Sequence, residues 1–526
     1  MSKVLVIDNG SYTIKIGHAT GPQNVATPHI IPNCIAHGKN KRAYVGSQFS
    51  HCVDYSGLAF QRPLEKGQLV DWRLEFAIWN YTFFGADSPL TVDPTDSALI
   101  LTEAPMSLPA ISSNTDQIVF EEYGFESYYR CTPGSLVPWN NMEADLFGGA
   151  SITNPSDSTS GTASSASASP PVHHPPLAEC ALVVDMGFNA TTVLPTVLGE
   201  VYWPAVQQVS VGGRLLTNYL RETISFRHYN MMEETYLVNA VKEAVTMVVP
   251  DFDKALDRCK AYRERRGNDA QRSLAVLALI PGLSAKEKKI RYDDMEPYSV
   301  KYALPETPAE IGSILTPSSS SSISPSATTN PTVVDLDARR QILRLSTERF
   351  SVPELLFSPH HIGLNQAGLA ETIVNAASKA PPELRSLLLA NVVVVGGGAN
   401  IPGVVERLRL DLAPYAASHP GLGDNAQDLL RVAKPKKDPE TYAWHGGVRL
   451  AQQSEMLAKV HVTRADYLEY GERLCASKFN SRRAEDAEGE EGSGGVGSGG
   501  IFDQGDGSGR NALDDDDDDD EDDDDL

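Results

Sequence analysis

The chain has 526 residues, with 45 Lys+Arg against 69 Asp+Glu and a formal net charge of -24. That balance argues against nucleic-acid binding driven by overall charge, because neutralising phosphates needs a basic surface. Hydrophobic residues make up 41 %, as expected of a globular protein long enough for two or three domains. No apolar run approaches the roughly 18 to 20 residues of a membrane helix, so no membrane partner is expected.

The first element begins at once. Val4-Leu5-Val6-Ile7 is an apolar run closed by Asp8-Asn9-Gly10, a buried strand followed by a turn signal. It is too short for the apolar core of a secretory leader. Ile14 and Ile16 alternate with polar neighbours, which predicts a hairpin partner. Ala98 to Glu103, Ala181 to Asp185 and Asn391 to Val395 read as further buried strands, and Glu234 to Val248 and Pro381 to Leu389 as helices. Alternating strands and helices predict an α/β fold with helix-covered sheets. Three stretches are excluded from any core by composition. These are the Ser/Ala/Pro segment 151–176, the Ser-rich segment 316–332, and the Gly/Ser and acidic tail 481–526. The first two read as loop insertions, which cost little closure entropy. The six cysteines (Cys34, Cys52, Cys131, Cys180, Cys259, Cys475) are scattered without a CxxC pair. Neither a zinc module nor a disulfide framework is supported, and a reducing, intracellular setting is expected.

One pattern occurs twice. Val-Leu-Val-Ile-Asp8-Asn-Gly10 is echoed by Ala-Leu-Val-Val-Asp185-Met-Gly187, each followed by a second apolar run. Two such hairpins could face one ligand. N–H groups in the Gly-containing turns suit phosphate oxygens. A carboxylate at each strand end could hold a divalent cation through its water shell. A third signal is Gly396-Gly397-Gly398, which precedes a helix beginning near Val404 and would let the backbone approach a flat base or sugar. An Asp-x-Gly after a strand is common and a Gly-rich turn is often plain turn chemistry. The three in this order are much more specific.

These three signals together resemble the actin family and its wider superfamily of sugar kinases and heat-shock ATPases, over nearly all of residues 1–480 apart from the insertions. Gly67 to Trp72, Phe120 to Tyr123, Ile342 to Phe357, Tyr442 to Gly447 and Val462 to Tyr467 carry the likeness further, as does Asn9-Gly10-Ser11-Tyr12, where conventional actin has glycine in place of Tyr12. The resemblance implies a two-lobed fold with two related βαβ domains around a nucleotide cleft. The first lobe would span 1–150 and the second 177–315. Residues 333–480 would complete the second lobe and return to the first. It also implies nucleotide contacts from Asp8, Gly10, Ser11, Lys15, Asp185, Gly187, Thr191, Gly213, Lys242, Glu243, Gly396 and Gly397, with Asp8 and Asp185 holding Mg through water.

The departures from the family pattern bear on catalysis. Pro133 stands where actin has a glutamine that orients the attacking water, and Thr192 where a histidine assists. Phe188-Asn189 replaces Asp-Gly in the second hairpin, and Glu440 replaces a lysine near the adenine. Proline cannot position water, so no hydrolytic enzyme is expected and no catalytic residue is assigned. ATP or ADP with Mg would be a structural ligand, stabilising the closed cleft by mass action; the other reading is a pocket with no nucleotide. Within the family the likeness is to a nuclear class of actin-related proteins. That implies a scaffold subunit of a SWR/SRCAP-type chromatin remodeller, which exchanges a nucleosomal histone for its Z variant. Its partners would be other subunits, including a separate motor ATPase, with histones reached through the acidic tail and nucleosomal DNA reached indirectly. A nuclear location with a cytoplasmic pool follows. The alternatives are an actin-fold ATPase or small-molecule kinase, for which no catalytic Asp can be assigned, and a cytoskeletal actin, against which the 38–67 segment speaks.

Three weaker features remain. The adjacent histidines His173-His174 and His360-His361 should point different ways and so not form a joint metal site. Ser351 to Ile362 reads as core between lobes. The twelve acids from Asp514 to Asp525 read as an extended, self-repelling run.

Overall fold

The structure is a computed structural model. It describes residues 3–19, 26–39, 41–88, 90–147, 177–277, 297–315, 341–422 and 426–479, of which 266–277 and 426 are described by backbone alone. The two insertions, the tail and the His173-His174 pair lie outside the described residues.

Two six-stranded sheets share one plan. In the first, β1 (Lys3–Asn9) pairs antiparallel with β2 (Thr13–His18) and parallel with β3 (Ser97–Thr102), which pairs parallel with β4 (Ser127–Cys131). Strands His29–Pro32 and Val462–Thr463 close the two edges. In the second, β5 (Cys180–Met186) pairs antiparallel with β6 (Thr191–Val197) and parallel with β7 (Val392–Val395), which pairs parallel with β8 (Val432–Ala433). The sequence echo is therefore an echo of topology, a hairpin with a parallel neighbour on its first strand. β3 and β7 are buried along their whole length, which explains why they read as continuous apolar runs and not as alternating ones.

Each sheet has its own core. One gathers Leu5, Ile7, Leu99, Leu101, Trp79, Phe83 and Phe120. The other, larger, gathers Leu182, Val184, Val392 and Val394 with helices 213–227, 235–245, 369–379 and 404–418. The helix Tyr442–Ala451 ties the hairpin strands to the segment after β4. Trp444 is fully buried and donates its indole N–H to the Val6 carbonyl at 3.0 Å. Gly446 is needed there, because a Cβ would lie 1.8 Å from the Leu136 carbonyl oxygen. The motif Tyr442 to Gly447 thus has a packing reason.

Two expectations are corrected. The helix expected over Glu234 to Val248 runs only from Thr235 to Val245. Beyond it, Met247 and Val248 donate backbone N–H groups to Arg349 and Pro402, so tertiary pairing takes over where the approach to Pro250 already disfavours helix. His360 and His361 do not point apart, because they share the short turn Pro359–Ile362 and their rings lie 4.6 Å apart. Even so, no group of three metal-ligating side chains occurs among the described residues. Of the 351–362 stretch, expected to be core, residues 352–356 are buried, whereas His360 and His361 are exposed. All six cysteines are free thiols.

Candidate functional site

All twelve residues named above line one cavity of about 640 Å³ between the two hairpins, within the size range of small-ligand sites. Register explains why. Ile7 pairs with Leu101, which sets Thr102 beside Asp8, and Asp185 pairs with Val395, which sets the glycine turn against Asp185. Gly396 has φ +85°, and a Cβ there would lie 2.7 Å from Asp185 Oδ1. Only glycine satisfies both demands. Gly397 faces open space.

The two carboxylates differ in their surroundings. Asp8 is buried, accepts from Thr102 Oγ1 at 2.8 Å, and pairs with Lys15 Nζ at 3.4 Å. Asp185 is half-buried. Desolvation, then the neighbouring Asp8 carboxylate, raises its pKa to about 6, against the pull of Lys15. Two facing carboxylates with one lysine between them leave unbalanced negative charge, and a divalent cation fits that environment.

Of the N–H groups in the two Gly-containing turns, those of the glycines are spent inside the hairpins. Gly10 donates to Asp8 O and Gly187 to Ala190 O, so they hold the hairpins in shape. Thr191 likewise spends its hydroxyl on Val211 O. Lys242 and Glu243 part company. Lys242 is buried and donates to Thr217 Oγ1 (2.9 Å), Asn239 Oδ1 (2.8 Å) and Gly213 O (3.3 Å). Burial lowers its pKa to about 8, with Glu243 opposing. Exposed Glu243 accepts from Asn239 Nδ2 instead.

Four residues that sequence reasoning did not single out shape the site. Thr102 holds Asp8 and also accepts from the Asn9 N–H. Fully buried Glu75 accepts from Asn9 Nδ2 at 2.7 Å. Asn239 donates to the Tyr12 hydroxyl across the cleft at 3.0 Å. Arg62 lies over the rings of Tyr12 (4.7 Å) and Phe188 (5.0 Å), and those rings are themselves 4.9 Å apart. The hairpin tips therefore touch through two aromatic side chains and a cation. Tyr12 and Phe188 were visible as departures, but nothing local marked Arg62 as their partner.

Comparison with known proteins gives the family. The family model Actin matches residues 1–480. The chain belongs to the actin family. The "Actin-like protein ARP6" of Yarrowia lipolytica is 36 % identical over 90 % of this chain and 97 % of its own length. The "Actin-related protein 6" of Neurospora crassa is 36 % identical over 90 % and 94 %, and the "Actin-like protein ARP6" of Cryptococcus neoformans var. neoformans 34 % over 91 % and 84 %. Within the family, then, this chain resembles actin-related protein 6.

Against the actin pattern, Pro133, Thr192 and Glu440 all line the cavity. Pro133 is the first residue of the short helix Pro133–Leu136, capped by the Thr132 hydroxyl accepting from Ser135 N–H. Proline suits that position because the first helical N–H has no partner within the helix. It presents only ring carbons to the cleft.

Proposed function

We propose that this actin-family chain is a non-catalytic scaffold subunit of a nuclear SWR/SRCAP-type chromatin remodeller, which replaces a nucleosomal histone with its Z variant while a separate motor supplies the work. The observation that carries the non-catalytic part is the pair Pro133 and Thr192, lining the cavity beside Asp8 and Asp185. Proline has no group to orient water, and buried Thr192 has a hydroxyl too short and too weakly basic to replace an imidazole. The likeness to actin-related protein 6 supports the assembly, the nuclear location and the docking of other subunits.

Magnesium-bound ATP or ADP fits the donor set as a structural ligand. Asp8 and Asp185 would hold the cation through water, and the exposed face of Gly397 leaves room for the nucleoside. Bound nucleotide supplies charge neutralisation and cross-lobe contacts. The chain's own residues hold the hairpins in register, keep Asp8 oriented through Thr102, and close the tips through Tyr12 and Phe188. A phosphate-release assay on the purified full chain tests the non-catalytic reading. Turnover at background is expected. Robust turnover that disappears in Asp185→Ala would make the chain an ATPase.

A further inference from the structure

A second cavity, of about 1230 Å³, lies on the other side of the hairpin tips. Tyr12, Phe188 and Asn239 border both cavities, so the paired rings form part of the wall between them. The charged residues lining this second space are Arg62, Arg73, Arg214 and Arg221 against Glu65 and Asp71. A cationic excess is unexpected in a chain of net charge -24. Asp71 is already committed, since it pairs with Arg73 at 3.1 Å and caps the helix Trp72–Phe84 by accepting from Arg73 N and Leu74 N. Glu65 is exposed.

The other three guanidiniums make no ion pair among the described residues. Arg62 is held in place, its Nη1 donating to the carbonyls of Ser11 (3.3 Å), Tyr12 (3.2 Å) and Asn33 (3.2 Å). Arg221 donates Nη1 to Thr235 Oγ1 at 3.0 Å, while its Nε is buried without an acceptor. Arg214 is exposed, seven residues before Arg221 on the helix Gly213–Arg227, so the two share a face. Arg62, Arg214 and Arg221 line the same space; burial lowers the Arg62 pKa, Cys34 and Tyr12 oppose that, and Arg214 adds to it.

Guanidiniums without a carboxylate partner that line one cavity attract an anion, and their planar forks match phosphate oxygens. We propose that this inter-lobe cavity binds a multiply charged phosphate anion, held between Arg62 of one lobe and Arg214 and Arg221 of the other. The site is distinct from the cleft between the hairpins and does not depend on the subunit role.

Calorimetric titration of the full chain with sodium tripolyphosphate tests it. One saturable site is expected. Arg214→Gln/Arg221→Gln should weaken it about tenfold or more, by loss of charge-assisted hydrogen bonds. Arg214→Gln alone, a change to an exposed side chain in a fold that does not rely on it, should weaken it in the same direction. A peptide of residues 511–526 should bind no more tightly. Absence of saturable binding, equal affinity in the arginine variants, which alter residues of this cavity alone, or tighter binding of the acidic peptide would each overturn the proposal.

Discussion

Glu75 is a carboxylate held away from water, with Asn9 as donor to one oxygen and no partner on the other. Desolvation raises its pKa from 4.5 to about 7. Between those two values the folded state binds more protons than the unfolded chain. The stability contribution therefore falls as pH rises through the window and is fully unfavourable above pH 7. Glu75→Gln removes the ionisation and keeps an acceptor for Asn9. At pH 8 it should be more stable than the wild type by roughly 1 to 3 kcal/mol, with the gap closing near pH 4.5. Urea unfolding at both pH values checks this, and a variant less stable at pH 8 would contradict it. Phe188 is the second residue-scale case. Phe188→Ala loses the ring contact with Tyr12 and the face offered to Arg62, and should cost about 1 to 2 kcal/mol. An unchanged urea midpoint would mean that the tips gain nothing from touching. Neither contact could be read from the sequence. Asn9 and Glu75 are 66 positions apart and Tyr12 and Phe188 sit on different hairpins, and nothing in either local pattern names the partner.

Elements were more legible than contacts. The hairpins and β7 were marked by apolar runs stopped by Asp-x-Gly or Gly-Gly-Gly, signals common singly and specific in combination, and β3 by its apolar run alone; their register then set Thr102 and Gly396 against the two carboxylates. The end of the 235–245 helix was hidden, since Met247 and Val248 pair with residues far along the chain. A further element-scale device joins β4 to the helix Pro109–Gln117. Arg130 on β4 donates to Asp116 (2.9 and 3.2 Å) and Glu103 (2.7 Å), all little exposed. Burial pushes Asp116 up to about 6 even with Arg130 beside it. Arg130→Met would strand two acids, and should destabilise the fold by about 3 to 5 kcal/mol at neutral pH. The loss should shrink as pH falls toward 6, because Asp116 without the guanidinium takes up its proton at a higher pH than in the wild type. A loss independent of pH would point to packing against Phe479 instead, which Arg130 also faces at 5.4 Å.

At the scale of the molecule, the actin-family chain keeps a cavity between its two hairpins, lined by Asp8 and Asp185 together with Pro133 and Thr192. If Mg-ATP binds there, it should raise the melting temperature of the wild type, and both Asp8→Ala and Gly397→Trp should abolish the rise, one by removing a carboxylate and the other by filling the nucleoside space. An equal rise in the variants would place the nucleotide elsewhere. The acidic run 514–525 belongs to this scale too. Its contact with basic histones would be electrostatic and should fade over a salt series as the screening length falls from about 10 Å at 0.1 M to about 3 Å at 1 M. Full-length chain should retain histone dimers at low salt better than a chain ending at Arg483, and equal retention would leave the tail without that role. The proposed scaffold role is tested most directly by purification of the tagged chain from nuclei followed by mass spectrometry. Co-purification of a motor ATPase and further remodeller subunits is the predicted result; recovery of cytoskeletal proteins alone would contradict it.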